Sequence, residues 1–142
     1  MRKKFAVPFG RNSEVASKDP HAIRILHVED SPIVAGLVRE IAEHESWKVE
    51  NCIDGNAALK ELVGHAQYDL RLVNFELPAL NGLELMEHVQ TMPHRRCMPI
   101  VMMSGTLSES VARKAGVNAF LRKPQDIGLL VETINRLLDL NA

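Results

Sequence analysis

Short apolar runs alternate with longer amphipathic stretches from residue 23 onward. Brief apolar runs bounded by turn-forming residues indicate strands, whereas apolar residues at helical spacing indicate amphipathic helices. The pattern predicts five strands, at Ile23–Val28, Trp47–Cys52, Asp69–Asn74, Met98–Met103 and Val117–Leu121. The third and fourth runs are almost continuously apolar, which is typical of strands that are buried on both faces of a sheet.

A helix is predicted after each strand. Ser31 and Pro32 form a typical helix start, with a capping hydroxyl before a proline at the first helical position, and Gly116 is a typical stop signal. The predicted helices run from Ser31-Pro32 to about Glu45, from Asp54-Gly55 through Leu62, over Leu83–Gln90, over Leu107–Ala115, and from a capping Asp126 to about Leu140. Strict alternation of strands and helices predicts an α/β fold with a doubly wound, five-stranded parallel sheet.

The composition fits one globular domain. The chain has 142 residues, 46% of them apolar, which is enough to bury a core. The net charge of −1 favours neither nucleic acid nor an anionic membrane as a partner. Residues 1–22 lack periodicity and carry five basic and two acidic residues. We therefore expect a mobile N-terminal tail over 1–22 and a single domain over 23–142.

Cysteine usage and hydropathy indicate a cytoplasmic protein. Cys52 and Cys97 are too few for a disulfide framework, and no apolar run approaches the roughly 20 residues of a membrane span. The apolar segment near the N-terminus is also too short for a signal-peptide core. The first strand–helix turn is acidic and lacks glycine, so we expect neither a nucleotide nor a flavin, and no organic cofactor.

Polar residues follow the predicted strands where each strand ends. Glu29 and Asp30 follow the first strand, Asn74 ends the third, and Ser104 and Lys123 follow the fourth and fifth. The carboxyl ends of parallel strands meet at one edge of the sheet, which is where ligands of such folds bind. Paired carboxylates suit Mg²⁺, while a lysine and a hydroxyl suit phosphoryl oxygens. The pattern predicts a site for a phosphoryl group near a divalent cation.

At these residues the chain resembles the receiver domain of bacterial two-component response regulators. The resemblance spans about residues 22–141 and implies the flavodoxin-like fold and a role in phosphorelay signalling. It rests on the segments Ile25–Pro32, Asp54–Leu59, Tyr68–Leu70, Leu77–Leu85, Pro99–Gly105 and Ala115–Pro124.

The resemblance also implies roles for individual residues. Glu29 and Asp30 stand where the family keeps its metal-binding acidic pair, and the backbone carbonyl of Glu76 would face the metal. Ser104 would be the switch hydroxyl and Lys123 the lysine that contacts the phosphoryl group.

Phe120 falls at the family's aromatic switch position, which follows the hydroxyl residue inward on phosphorylation. The interval from Ser104 to Lys123 is shorter than the family's usual interval by about one helical turn. We therefore expect non-standard contacts on the signalling surface formed by Leu107–Ala115, Phe120 and the last helix.

The pattern breaks at the phosphoacceptor, because Asn74 stands where the family has an aspartate. Pro78 and Gly82 follow at the family's offsets, so the register is secure. A neutral amide oxygen is a poor nucleophile, and phosphorylation at this position is not expected. The amide also removes a negative charge, which predicts weak Mg²⁺ binding at most, with Asp30 as the principal side-chain ligand.

Three further predictions concern an arginine in a strand, a glutamate in a loop and the histidines. Arg71 lies inside the third predicted strand and is expected to extend out to solvent at the start of that strand. Glu76 is expected to be an exposed loop residue, with contact to Lys123 in imitation of a charged state as the alternative. The six histidines show no metal-ligand spacing and are expected to be ordinary.

We therefore predict a phosphorylation-independent pseudo-receiver that binds proteins and is not an enzyme. The expected partner is a histidine kinase, a phosphotransfer protein, an output domain or a second copy of the chain, and neither nucleic acid nor membrane. Two alternatives stay open. The chain could accept phosphate on another residue, such as Asp30 or Ser104, or Asn74 could be an engineered replacement in an ordinary receiver.

Overall fold

Parallel pairing brings the five strands into a single sheet in the order β2-β1-β3-β4-β5. The computed structural model describes residues 22–139, so most of the predicted tail and the predicted end of the last helix, at about Leu140, lie outside the described residues. The strands are β1 Arg24–Val28, β2 Lys48–Cys52, β3 Leu70–Asn74, β4 Ile100–Ser104 and β5 Ala119–Arg122. The helices are α1 Pro32–Glu45, α2 Gly55–Val63, α3 Gly82–Gln90, α4 Glu109–Ala115 and α5 Leu130–Leu137.

Two apolar layers pack on the two faces of the sheet, which confirms the doubly wound α/β prediction. One layer joins the sheet to α2, α3 and α4 through residues such as Leu26, Met102 and Leu85. The other joins it to α1 and α5 through residues such as Leu72 and Ile134. β3 is the central strand, and all five of its residues are buried. Asn74 therefore ends a strand that has neighbours on both sides and is buried along its whole length.

The helix starts follow the predicted capping chemistry except at the last helix. The Ser31 hydroxyl accepts from the Val34 N–H at 3.3 Å, and Pro32 is the first residue of α1. Asp126 does not cap a helix with its side chain, and that prediction was wrong. Its carboxylate instead accepts from the Arg122 N–H at 2.8 Å and closes the turn after β5. A 3₁₀ turn over Ile127–Leu129 then leads into α5.

The predicted starts of β4 and α4 were also early. β4 begins at Ile100 and not Met98, because Pro99 has no N–H to donate to a ladder. α4 begins at Glu109, since the Ser108 hydroxyl caps it by accepting from Val111. The resulting α4 has seven residues, in line with the short interval between Ser104 and Lys123.

A glycine at the start of α2 allows that helix to approach the β3–α3 loop. A Cβ on Gly55 would lie 2.5 Å from the Leu80 carbonyl oxygen, closer than real contacts allow. We expect Gly55→Ala to lower the free energy of unfolding by about 1–3 kcal/mol, because backbone must move to relieve the overlap. Gly36→Ala in α1 is the control, since no atom lies within 4 Å of its added Cβ. It should instead stabilise by about 0.5–1 kcal/mol, because alanine favours a helix interior over glycine. Urea unfolding of both variants measures the difference, and equal destabilisation would contradict this account.

Candidate functional site

The carboxyl ends of β1, β3, β4 and β5 bring four predicted site residues together. Parallel pairing places Val28 beside Val73, Asn74 beside Met103, and Ser104 beside Arg122. This register places four residues at one edge of the sheet: Glu29, Asn74, Ser104 and Lys123. The first three are almost fully buried, and the Lys123 side chain is 21% exposed.

The Asn74 amide lies at the centre of this cluster and is engaged at both ends. Its oxygen accepts from the Lys123 ammonium at 2.8 Å. Its NH₂ group donates to the Glu76 backbone carbonyl at 2.8 Å and, more weakly, to Glu29 Oε2 at 3.4 Å. The amide therefore joins a cation on one side to two oxygen acceptors on the other.

Glu29 is a buried carboxylate whose charge is only partly compensated. Oε2 accepts from the Ser31 N–H at 3.1 Å, while Oε1 has no hydrogen-bond partner among the described residues and lies 3.7 Å from Lys123 Nζ. Burial raises the pKa of Glu29, against the opposing effects of the Ser31 N–H and the Lys123 charge. Lys123 is therefore the cation that serves both Asn74 and Glu29.

The arrangement does not fit a divalent cation well. The available oxygens are those of Glu29, the exposed Asp30 and the Glu76 carbonyl. Asn74 directs amide hydrogens at two of them, where a cation would need lone pairs. Within residues 22–139, no group of three or more His, Cys, Asp or Glu side chains is arranged to hold a metal ion.

Glu76 is neither the exposed loop residue that was predicted nor, as in the alternative, a partner of Lys123. The side chain is half-buried, and its described hydrogen-bond partners are Ser104 and Thr106, not Lys123. Burial opposes ionisation of Glu76, but hydrogen bonds from Ser104 and Thr106 outweigh it and lower the pKa. Sequence reasoning missed Thr106, whose position two residues after Ser104 was the available signal.

Comparison with known proteins assigns this arrangement to a family. The family model of the response regulator receiver domain matches residues 25–135. The chain belongs to the response regulator receiver family. This receiver has the flavodoxin-like fold of the family and the role of a receiver domain in two-component signalling.

A curated relative and a solved structure each match most of the chain. The response regulator ArlR of Staphylococcus aureus (strain Mu50) is 29% identical over 115 residues, which are 81% of this chain and 52% of ArlR. The receiver thus spans about half the length of the curated relatives it matches. A CheY-like receiver domain protein from Methanospirillum hungatei is 30% identical with a TM-score of 0.75, covering 83% of this chain and 94% of that one.

A second solved structure carries a metal. The receiver domain of the sensor histidine kinase PA1611 from Pseudomonas aeruginosa has a TM-score of 0.73 at 24% identity, covering 81% of this chain and 96% of that one. That protein has a magnesium ion coordinated in its active-site cleft. At this level of identity the likeness shows the fold alone.

Phe120, at the predicted aromatic switch position, is turned inward. Phe120 is 7% exposed and belongs to the core layer that includes Met102 and Ala112. The Arg122 guanidinium carbon lies 4.8 Å from the centre of the Phe120 ring, an arrangement that gives a cation–π contact. Core packing and this cation together favour the inward position.

Arg71 does not reach solvent, and that prediction was wrong. The side chain is 2% exposed and turns to the segment before β4. One guanidinium nitrogen donates to the Met98 carbonyl at 2.7 Å, while Nε has no partner among the described residues. Burial, together with the charge of Arg95, lowers the pKa of Arg71 to about 10. Arg71 thus joins β3 to the loop before β4 from the buried side.

His27 is not the ordinary histidine that was expected. It is fully buried in β1, and neither ring nitrogen has a hydrogen-bond partner among the described residues. Burial, with smaller effects from the charges of Lys123 and Arg39, lowers its pKa to about 4. The imidazole is therefore neutral at pH 7.

None of the helices over residues 22–139 is long and apolar enough to cross a membrane.

Proposed function

We propose that this receiver is a phosphorylation-independent protein-interaction module of two-component signalling, without enzymatic turnover. The observation that carries the proposal is the state of Asn74, whose amide bonds to Lys123 on one side and to Glu29 and Glu76 on the other. An amide has no nucleophilic carboxylate oxygen, and here its hydrogens also point at the oxygens that a catalytic cation would need.

The proposed partner is a protein of the same signalling class: a histidine kinase, a phosphotransfer protein, an output domain or a second copy of the receiver. The near-zero net charge supports a protein in preference to nucleic acid or an anionic membrane. The free thiols of Cys52 and Cys97 support a reducing, cytoplasmic location. Weak Mg²⁺ binding through Glu29, Asp30 and the Glu76 carbonyl is the most that we propose for a cofactor.

Phosphorylation on another residue is less favoured. The Ser104 hydroxyl is fully buried and already donates to Glu76 while accepting from two backbone N–H groups. Asp30 is exposed, but Lys123, which would steady a phosphoryl oxygen, is committed to Asn74 and Glu29.

The proposal predicts that the receiver is inert to phosphodonors. Incubation with acetyl phosphate and Mg²⁺ should leave the intact mass unchanged, because position 74 offers no nucleophile. Beryllofluoride with Mg²⁺ should leave the backbone amide NMR spectrum unchanged. A stoichiometric gain of one phosphoryl group would overturn the proposal and direct attention to Asp30 or Ser104. The Asn74→Asp variant is the matched control, since it differs in one side-chain group.

A further inference from the structure

Three hydrogen-bond donors converge on a single oxygen of Glu76. Oε2 accepts from the Ser104 hydroxyl at 2.5 Å, the Thr106 hydroxyl at 2.5 Å and the Thr106 N–H at 3.1 Å. These donors come from the β4–α4 segment, whereas Glu76 belongs to the β3–α3 loop. Two hydroxyls and an N–H around one oxygen form a binding site for an oxyanion, and here the oxyanion is the protein's own carboxylate.

The Ser104 oxygen extends the connection into the following loop. While donating to Glu76, it accepts from the Thr106 N–H at 3.0 Å and the Leu107 N–H at 2.8 Å. The carboxylate therefore fixes the Ser104 hydroxyl, and that hydroxyl fixes the backbone leading to α4. Ser104 is fully buried, so each bond it makes is protected from competition with water.

We propose that Glu76 is a built-in anionic ligand that occupies the oxyanion cradle formed by Ser104 and Thr106. The cradle is closed to external phosphate-like anions, because its donors are used and a carboxylate would repel a second anion. The same contact holds residues 104–107 in one arrangement without any added phosphoryl group. This inference rests on the proposed function. It adds the contact that keeps an unphosphorylated receiver in a single state.

The test uses three variants of the full chain. Glu76→Ala empties the cradle, Glu76→Gln keeps its bulk and one acceptor oxygen without the charge, and Glu87→Ala removes an exposed glutamate from α3 as a control. Amide hydrogen exchange of Thr106 and Leu107, measured by NMR, reports how firmly residues 104–107 are held in one arrangement. Inorganic phosphate, titrated without phosphodonor or Mg²⁺, is the probe of the cradle.

We expect exchange at Thr106 and Leu107 to rise about tenfold or more in Glu76→Ala, to rise less in Glu76→Gln, and to stay unchanged in Glu87→Ala. Millimolar phosphate should shift the amide resonances of these residues and restore protection in Glu76→Ala, with no effect on the unmodified chain. Phosphate should not bind Glu76→Gln, in which the cradle remains filled.

Two results would overturn the proposal. One is exchange in Glu76→Ala that matches the Glu87→Ala control. The other is an equal phosphate response in the unmodified chain and in Glu76→Ala. Neither depends on a phosphodonor, so failure here is distinguishable from failure of the proposed function, which acetyl phosphate tests.

Discussion

Replacing Asn74 by aspartate is expected to give a receiver that takes up a single phosphoryl group from acetyl phosphate in the presence of Mg²⁺. The new carboxylate oxygen would bond to phosphorus while the bond from phosphorus to the acetate oxygen breaks and acetate leaves. Lys123 already lies 2.8 Å from the corresponding oxygen of Asn74, so a cation for the developing charge is in place. Intact-mass spectrometry measures the gain, and peptide mapping locates it.

The same replacement should create a cation site. An oxygen would replace the NH₂ group that now donates to the Glu76 carbonyl and Glu29, so three oxygens would face one another without a hydrogen between them. The added negative charge should tighten Mg²⁺ binding about tenfold or more, or about 1.4 kcal/mol. Calorimetric titration measures it, and the Mg²⁺ dependence of thermal unfolding provides a second readout.

Asn74→Ala separates the gain of a nucleophile from the loss of the amide. It removes the contacts to Lys123 and Glu29 without adding a carboxylate, so it should remain unphosphorylated. If the aspartate variant binds Mg²⁺ tightly yet stays unmodified, the absence of a nucleophile does not account for the predicted inertness of the asparagine form. Equal Mg²⁺ affinity in the asparagine and aspartate forms would contradict the electrostatic argument.

Stability should fall steeply with acidification because of His27. The unfolded chain has an ordinary imidazole pKa of 6.5, whereas the folded chain lowers it to about 4. Between these values the unfolded state binds a proton that the folded state does not, so falling pH favours unfolding. The His27 contribution is fully present above pH 6.5 and is lost progressively down to about pH 4. The loss amounts to about 3–4 kcal/mol, since each pKa unit corresponds to about 1.4 kcal/mol.

His27→Leu should flatten this dependence and raise stability at neutral pH. Leucine has a similar volume and no nitrogen that must be buried without a partner, a cost of about 1–3 kcal/mol in the native chain. Urea unfolding at several pH values between 4 and 7.5 measures both effects. The exposed His88, changed to glutamine, serves as the control. If the leucine variant keeps the acid sensitivity of the parent, other groups cause it.

The elements could be predicted from local pattern, because local chemistry determines them. Ser31 and Pro32 mark the start of α1, and buried apolar runs mark β3 and β4. Errors arose where a side chain has another use in the folded chain. The Asp126 carboxylate bonds to the Arg122 N–H and not to a helix start.

The site was harder to predict than the fold. The order of strand ends placed Glu29, Asn74, Ser104 and Lys123 at one edge of the sheet, and the structure brings them together there. The hydrogen bond that Thr106 donates to Glu76 joins residues 30 positions apart on different loops, and the only signal for it was the position of Thr106 two residues after Ser104. Burial of Arg71 likewise depends on where the segment before β4 folds, since the guanidinium donates to the Met98 carbonyl 27 positions away.

The bridge between Lys123 and Asn74 has an evolutionary consequence. Asparagine and aspartate codons differ by a single base, and Glu29, the Glu76 carbonyl and Lys123 all lie within hydrogen-bond distance of the Asn74 amide. A receiver of this kind lies one transition mutation away from a carboxylate at its centre, with lysine and glutamate already positioned beside it. A single-base change at this codon would therefore separate the two predicted forms of the receiver, one inert to phosphodonors and one that accepts a phosphoryl group.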